Sequence, residues 1–533
     1  MTLLPNGQPL VDRIPADASL VVHAGSGTEL EAAFARINPD VVWLPWNASG
    51  SLRPGCAGAV VIEGDLPDDT AVAPVIERAM ELLADGGMLI IDLASPDFHE
   101  LVAARAAGRP IPPGSHRPET VIEIARRGGG TLAALSVLEA DEDGARQFAE
   151  RHPDAVAGLG LRPDMQAPRL ATRRFLVEIV RGALPEPIYV FARMRDASVG
   201  ANGAMAEVRV SRPLRFLSGI PNVRLWLDHD PTPLRVPTRP RGIFVYQRPI
   251  LRRPAAIDLL RELFRRQYVV VMEFDDHPSY WPEIARHDYL TFAGAHAVQT
   301  STEPLAQALR PHNPYVGVFR NDVAELPPPR PPRPEPDAAR PLRIFYGSLN
   351  RADSMRPLTD AINRLIRESR VPIHVSVITD ERFHAQLRTT RKDFHPMVSH
   401  ARHREMVAEA DIVLLPLADT EFNRCKSDLS FVEAAARGAV VLASPVVYGP
   451  TVMDGVTGML FTTPEEFAAK LTLLVEDGPF RQRIATNAYR YVRSQRMQKD
   501  GFRLRWLWYQ SLLDRKEELD RAVRERVPEL RDV

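Results

Sequence analysis

The sequence predicts an α/β protein built as three doubly wound domains in tandem. Three observations predict it. Short apolar runs alternate with amphipathic helical stretches, the alternation falls into three blocks, and a proline tract separates the last two. A chain of 533 residues is too long for one core and suits about three domains of ~100–200 residues each.

The first block, residues 1–165, places strands at SLVVHAG, DVVWLPW, AVVIEG, GMLIIDLA and TLAALSVLE. Helices such as GTELEAAFARI and PVIERAMELLADG fall between them. The segment LATRRFLVEIVRGAL predicts a connecting helix over residues 166–185, ending at Pro185. The second block, 186–325, has strands at IYVFAR, RLWLD, GIFVYQR, YVVVMEFDD and HAVQTS. Residues 326–341, LPPPRPPRPEPDAARP, can form neither a helix nor a central strand and predict an extended, semi-rigid linker. The third block, 342–497, has strands at LRIFYGS, IHVSVIT, DIVLLPL and AVVLAS. Residues 498–533 predict a C-terminal helix mixing Trp506, Trp508, Tyr509 and leucines with arginines. Packing back on the preceding half is favoured for it, with peripheral membrane contact as the alternative.

A formal net charge of -1 provides no global field to gather nucleic acid. Two cysteines far apart in sequence, Cys56 and Cys425, argue against a disulfide framework and exclude a Cys-rich metal site. No basic segment leads into an apolar run at the N-terminus, and no stretch reaches the ~20 apolar residues of a membrane span. A cytoplasmic protein is expected, working there or at the inner face of the membrane.

Residues 410–461 carry the densest chemistry. A strand ends at Leu417, a polar loop runs to Lys426, and a helix is expected to start at Ser427, capped by its hydroxyl, and to end at Gly438. Lys426, Ser427 and Asp428 then stand where helix N–H groups attract an anion such as a diphosphate. Glu433, less than two turns further on, can accept hydrogen bonds from a vicinal diol such as a ribose. On the facing turn, Gly347 allows close backbone approach to phosphate, and Ser348, Asn350 and Arg351 supply donors.

The phrase DIVLLPLADTEFNRCKSDLSFVEAAARGAVVLAS, followed by GPTVMDGVTGMLF and TPEEFAAKLTLLVED, resembles glycosyltransferase family 4 and its relatives with the GT-B fold. The resemblance runs from about Glu186 to the C-terminus and is strongest over 342–477. It implies that the last two Rossmann-like domains form one GT-B glycosyltransferase, moving a sugar from a nucleoside diphosphate to a glycan, lipid-linked or protein acceptor with retention. Glu433 matches the second glutamate of the family's E-x7-E motif, and Cys425 stands at the first. Lys426 and Ser427 fit a K-S variant of that loop, so Glu433 and Lys426 are the expected catalytic pair. Thr451 falls where the family binds phosphate through backbone amides, and Val398 is the candidate nucleobase contact. No metal or other cofactor is expected.

In the second block, Asp275, Asp276 and His277 follow a strand's C-terminal end, where a site belongs. Asp276 and His277 are the acceptor-side candidates, joined by Gly203 in an expected turn within SVGANGAMAEVRV.

The first block, VVHAGSGTELEAAFARINPDVVWL, resembles the opening of a class I S-adenosylmethionine-dependent methyltransferase. Gly25 and Gly27 are kept. His23 replaces the leading acid, Glu29 the third glycine, and Leu44, Pro45 and Trp46 end the strand where a ribose-binding acid is expected. The expectation is a degenerate domain that does not use S-adenosylmethionine and is free to bind a protein partner. A bifunctional methyltransferase–glycosyltransferase and a non-catalytic nucleotide-sugar-binding scaffold are the rival readings.

Overall fold

A computed structural model describes residues 9–25, 28–63, 72–109, 115–195, 201–229, 241–347 and 352–532. The chain divides into two compact units, one of residues 1–188 with 215–224, the other of residues 189–214 with 225–533.

The first unit is built on β1 (Leu20–Ala24), β2 (Val42–Pro45), β3 (Ala57–Glu63), β4 (Leu83–Ala94), β5 (Gly130–Ala140) and β6 (Thr172–Arg181), in the order β2-β1-β3-β4-β6-β5. Strands β2, β1, β3 and β4 run parallel, whereas β6 is antiparallel to β4 and to β5. This corrects the expected connecting helix over 166–185. Only Pro163–Ala171 is helical, and Phe175–Val180 lies buried between two strands. An apolar run sandwiched on both faces carries no alternation, so its period does not separate helix from strand. Its one acid, Glu178, accepts two bonds from Arg13, at 2.6 and 2.7 Å, and so stays buried as a pair.

The second unit holds two six-stranded sheets. The first contains β7 (Ile188–Met194), β8 (Val223–His229), β9 (Gly242–Gln247), β10 (Tyr268–Glu273), β11 (Ala297–Thr300) and β12 (Val316–Val318), ordered β12-β11-β10-β9-β7-β8. The second contains β13 (Leu342–Gly347), β14 (Ile373–Ile378), β15 (Lys392–His395), β16 (Ile412–Leu415), β17 (Val440–Ala443) and β18 (Met459–Leu460), ordered β15-β14-β13-β16-β17-β18. Every neighbouring pair in this last sheet is parallel, and its central strands are buried on both faces, as helices covering both sides require.

The proline tract from Pro327 to Pro336 has no helix or strand and is strapped to the third domain by its arginines. Arg330 donates to the carbonyls of Ala410 and Gly438, and Arg333 to Glu409 O and the Asp411 carboxylate. The C-terminal segment forms two helices, Gln498–Asp514 and Lys516–Arg526, which lie on the β7–β12 sheet domain. Tyr509 donates to Gln299 Oε1 at 2.7 Å, His296 pairs with Asp520 at 2.7 Å, and Val523, Val527 and Leu530 enter that domain's core.

Candidate functional site

A cavity of about 500 Å³ in the second unit opens at the C-terminal ends of four strands. Arg248 follows β9, Asp275 and Asp276 follow β10, Gly347 ends β13, and Thr379 follows β14. This is where parallel sheets present ligand sites, because loops and helix N-termini converge there.

Helix Leu429–Ala436 forms one wall. It ends at Arg437 and turns out through Gly438 at φ +71, the left-handed exit read from the sequence. Its start differs from expectation. Asp428 occupies the N-cap without a side-chain cap bond, because its carboxylate takes bonds from Arg496 Nη1 and Nη2 at 2.6 and 2.9 Å. Ser427 lines the cavity but does not cap the helix, since its hydroxyl oxygen accepts from Asn321 Nδ2 at 2.8 Å. Asp428 is therefore structural rather than donor-facing. Thr451 is corrected with it: its hydroxyl donates to Asp428 Oδ2 at 2.8 Å and its amide to Tyr448 O at 3.0 Å, so neither is turned to phosphate.

Glu433 lies on the cavity wall, with its side chain 12% exposed. Its Oε1 is 2.9 Å from His400 Nε2, and the other ring nitrogen, Nδ1, is 2.7 Å from Glu207 Oε2. Burial pushes the Glu433 carboxyl up, but the His400 bond and charge, with His403 and Arg437, outweigh it and hold the group at about 2. Glu207 is held at about 2 in the same way, with burial overcome by His400, Arg212 and Arg404. Burial pulls His400 down, and the two carboxylates more than reverse that.

Lys426 lines the cavity, its ammonium 4.7 Å from the centre of the Phe422 ring. Across from it, Arg248 is fixed between the acids of the second block, with Nε on Asp275 and Nη2 at 2.9 Å from Asp276. Burial raises Asp276 above the ordinary carboxyl range against the pull of Arg248 and Lys426. His277 lies off the cavity. Its Nδ1 pairs with the Ser279 hydroxyl at 2.7 Å and caps a short turn by accepting from the Ser279 amide. Gly203 sits within helix Ala201–Ala206 rather than in a turn, and Ala204 and Met205 of that helix reach the cavity lining. Gly347 and Val398 line it. A Cβ on Gly347 would come 2.7 Å from the Phe345 ring, so that turn has no room for a side chain unless Phe345 moves. Ser348, Asn350 and Arg351 lie outside the described residues.

Among the lining or adjoining groups that escaped the sequence reading are His400, His403, Glu207 and Arg248. A signal existed for the histidines, because HPMVSHARHRE spaces them three apart on one helix face. Glu207 offers none, since its partner is 193 residues away. Among the described residues, no group of three or more His, Cys, Asp or Glu side chains could hold a metal ion, and no helix is long and apolar enough to cross a membrane.

In the first unit the corresponding crevice, between β1 and β3 where the strand order reverses, holds side chains of the chain itself. His23 Nε2 lies 2.9 Å from Glu63 Oε2, and the ring stands edge-on to Trp43 at 5.4 Å. A Cβ on Gly25 would meet His23 Nε2 at 2.7 Å. Gly27 lies outside the described residues.

Residues 340–477 match the family model of glycosyl transferases group 1. The third domain is a glycosyltransferase group 1 domain. It shares one cleft with a second Rossmann-like sheet of the same unit. Among solved structures the chain is similar to HepE of Anabaena in complex with UDP and glucose, at 15% identity over 61% of this chain and 99% of that one, with a TM-score of 0.42. It is also similar to a glycosyltransferase from Rickettsia africae, at 12% identity over 62% and 99% with a TM-score of 0.43. A third is the sucrose-phosphate synthase of Thermosynechococcus elongatus, at 12% identity over 62% and 100% with a TM-score of 0.40. No curated protein matches the chain.

Proposed function

We propose that the protein transfers a sugar from a nucleoside diphosphate sugar to a hydroxyl of a glycan, lipid-linked or protein acceptor, with retention at the anomeric carbon. The observation that carries this is Glu433: a carboxylate bonded to His400 in a cavity at the strand ends of a group 1 domain, two turns or less from a helix N-terminus. Oε1 is taken by His400, which leaves Oε2 for the donor ribose hydroxyls. The diphosphate lies at the start of helix Leu429–Ala436, where Lys426 and the backbone dipole oppose the charge that builds as the sugar leaves. The bond from the anomeric carbon to the phosphate oxygen breaks as the bond to the acceptor oxygen forms. The acceptor's proton passes to the departing diphosphate. Gly347 admits the phosphates closely, and Val398 with Thr379 faces the base. Asp276, with Arg248, Tyr280 and Trp281, forms the acceptor side.

The first unit serves this enzyme as a methyltransferase-shaped domain without the cofactor, open to a protein partner. Its one reversed strand, β6, in an otherwise parallel core supports the shape, and the His23 ring over Gly25 supports the loss of the ligand.

One observation favours the scaffold reading. Cys425, at the position of the family's first glutamate, is buried in the core that binds the two halves, and burial raises its thiol above 9.0, so no second carboxylate is supplied there. Incubation with a panel of UDP-, GDP- and ADP-sugars separates the two. Release of nucleoside diphosphate that Glu433→Gln abolishes is expected of the enzyme, and binding without release marks the scaffold.

A further inference from the structure

His400 is not explained by donor binding alone. It stands on helix His400–Glu409, and its two ring nitrogens engage carboxylates from different halves of the second unit. Glu433 belongs to the group 1 domain. Glu207 opens a π-helical turn, Glu207–Ser211, beside the other sheet, and such wide turns are frequent at functional sites. Arg212 Nε donates to Glu207 Oε1 and Arg404 approaches the same oxygen at 3.8 Å, so the carboxylate is fixed before His400 reaches it.

We propose that His400 is a positioning residue that clamps Glu433 to Glu207, so that the donor-facing orientation of Glu433 is set only while the two halves of the cleft are joined. The inference rests on the reading of Glu433 as the donor anchor.

The chemistry of the ring gives the clamp its condition. A neutral imidazole has one N–H and one lone pair, so one of the two carboxylates would face a lone pair instead of a donor. Only the imidazolium donates to both. Glu207 and Glu433 face the ring directly and His403 stacks beside it at 6.4 Å, while Arg212 and Arg404 stand on the far side of Glu207 and Arg437 beside Glu433. The carboxylates favour the charged ring, and the others oppose it from further off. The sign follows: the folded value of His400 lies above its ordinary 6.5, so the two-sided clamp is complete below that ordinary value and is lost as pH rises through the elevated folded one.

The test uses the full-length protein, with UDP and GDP as probes in calorimetry and the corresponding sugar nucleotides in turnover assays, across pH 6 to 9. Wild type is expected to lose affinity and to raise its donor KM on the alkaline side while kcat changes less. His400→Ala should weaken binding by roughly tenfold at neutral pH and flatten the alkaline limb, the size expected for one lost charge-assisted bond. His400→Gln, whose amide can still donate to Glu433, should recover part of the affinity but stay flat with pH. Glu207→Gln should move the limb to lower pH. A His400→Ala or His400→Gln protein with wild-type affinity and an unchanged pH profile, alongside a Glu433→Gln protein that has lost binding, overturns the clamp and leaves the donor anchor standing. Unchanged binding in Glu433→Gln overturns the anchor and the clamp together.

Discussion

Asn321 Nδ2 donates to Ser427 Oγ at 2.8 Å, joining the segment that leaves the second domain to the loop that leads into helix Leu429–Ala436. The same amide accepts from Arg209 Nη1 at 2.6 Å, and Arg209 grips the buried Glu273 at 2.7 and 3.2 Å. A polar chain from Glu273 through Arg209 and Asn321 to Ser427 therefore crosses the cleft floor. Asn321→Leu would leave Arg209 short of one acceptor and remove the donor to Ser427. The expected loss is ~1–3 kcal/mol of unfolding free energy in urea melts, together with weaker nucleoside diphosphate binding. Wild-type stability in the variant would show that the bonds contribute nothing net.

Turnover is expected to persist in EDTA. Asp275 and Asp276 are held by Arg248, which satisfies them without a metal ion, and on the proposed reading Lys426 with the helix N-terminus would supply positive charge for the diphosphate. Restoration of a lost activity by manganese or magnesium after chelation would count against this assignment and point to the two acids as metal ligands.

S-adenosylmethionine should give no heat in calorimetry at tens of micromolar protein. His23 packs against Gly25, where the methyltransferase resemblance would require an open cofactor loop, and the second strand ends in Leu44 and Pro45, where that resemblance would require an acid for the ribose. The missing charged partner alone costs ~1.5–3 kcal/mol, roughly one to two decades of affinity. Micromolar binding would make the first unit a second active site.

Asp92 should make the first unit's stability pH-dependent. Burial lifts its carboxyl to about 6 despite a bond from Arg174 Nε at 2.9 Å, and Glu63 and Glu139 add to the lift. A raised carboxyl value means that the folded state holds the proton longer than the unfolded chain, so this contribution is greatest in acid and falls as pH rises from the ordinary 3.8 through 6. Between about pH 5 and 7.5, Asp92→Asn should gain ~1 kcal/mol relative to wild type in urea melts. A difference that stays constant over that range would place the titration of Asp92 elsewhere.

Much of the site was legible because its signals are local. The seven-residue step from Lys426 to Glu433 puts both on one loop-and-helix unit whatever the rest of the chain does, and Gly438 ends that helix because only glycine takes φ +71 at no steric cost. The apolar runs likewise named the long strands, since residues buried on both faces of a parallel sheet leave continuous hydrophobic stretches. The run Phe175–Val180 shows the limit of that logic, because without alternation the same letters serve a helix or a strand until β4 and β5 take both its edges.

What only the tertiary structure decided is which polar group meets which. Ser427 looks like a helix cap until Asn321, 106 residues earlier, claims its oxygen, and Asp428 looks donor-facing until Arg496 takes its carboxylate. His400 had a visible partner face on its own helix, but nothing near it in sequence announces Glu207. Periodicity and turn chemistry act over a few residues and are written into the chain locally. Pairing between buried charges depends on distance in space, so it is settled only when folding brings two halves of the chain within 3 Å of each other.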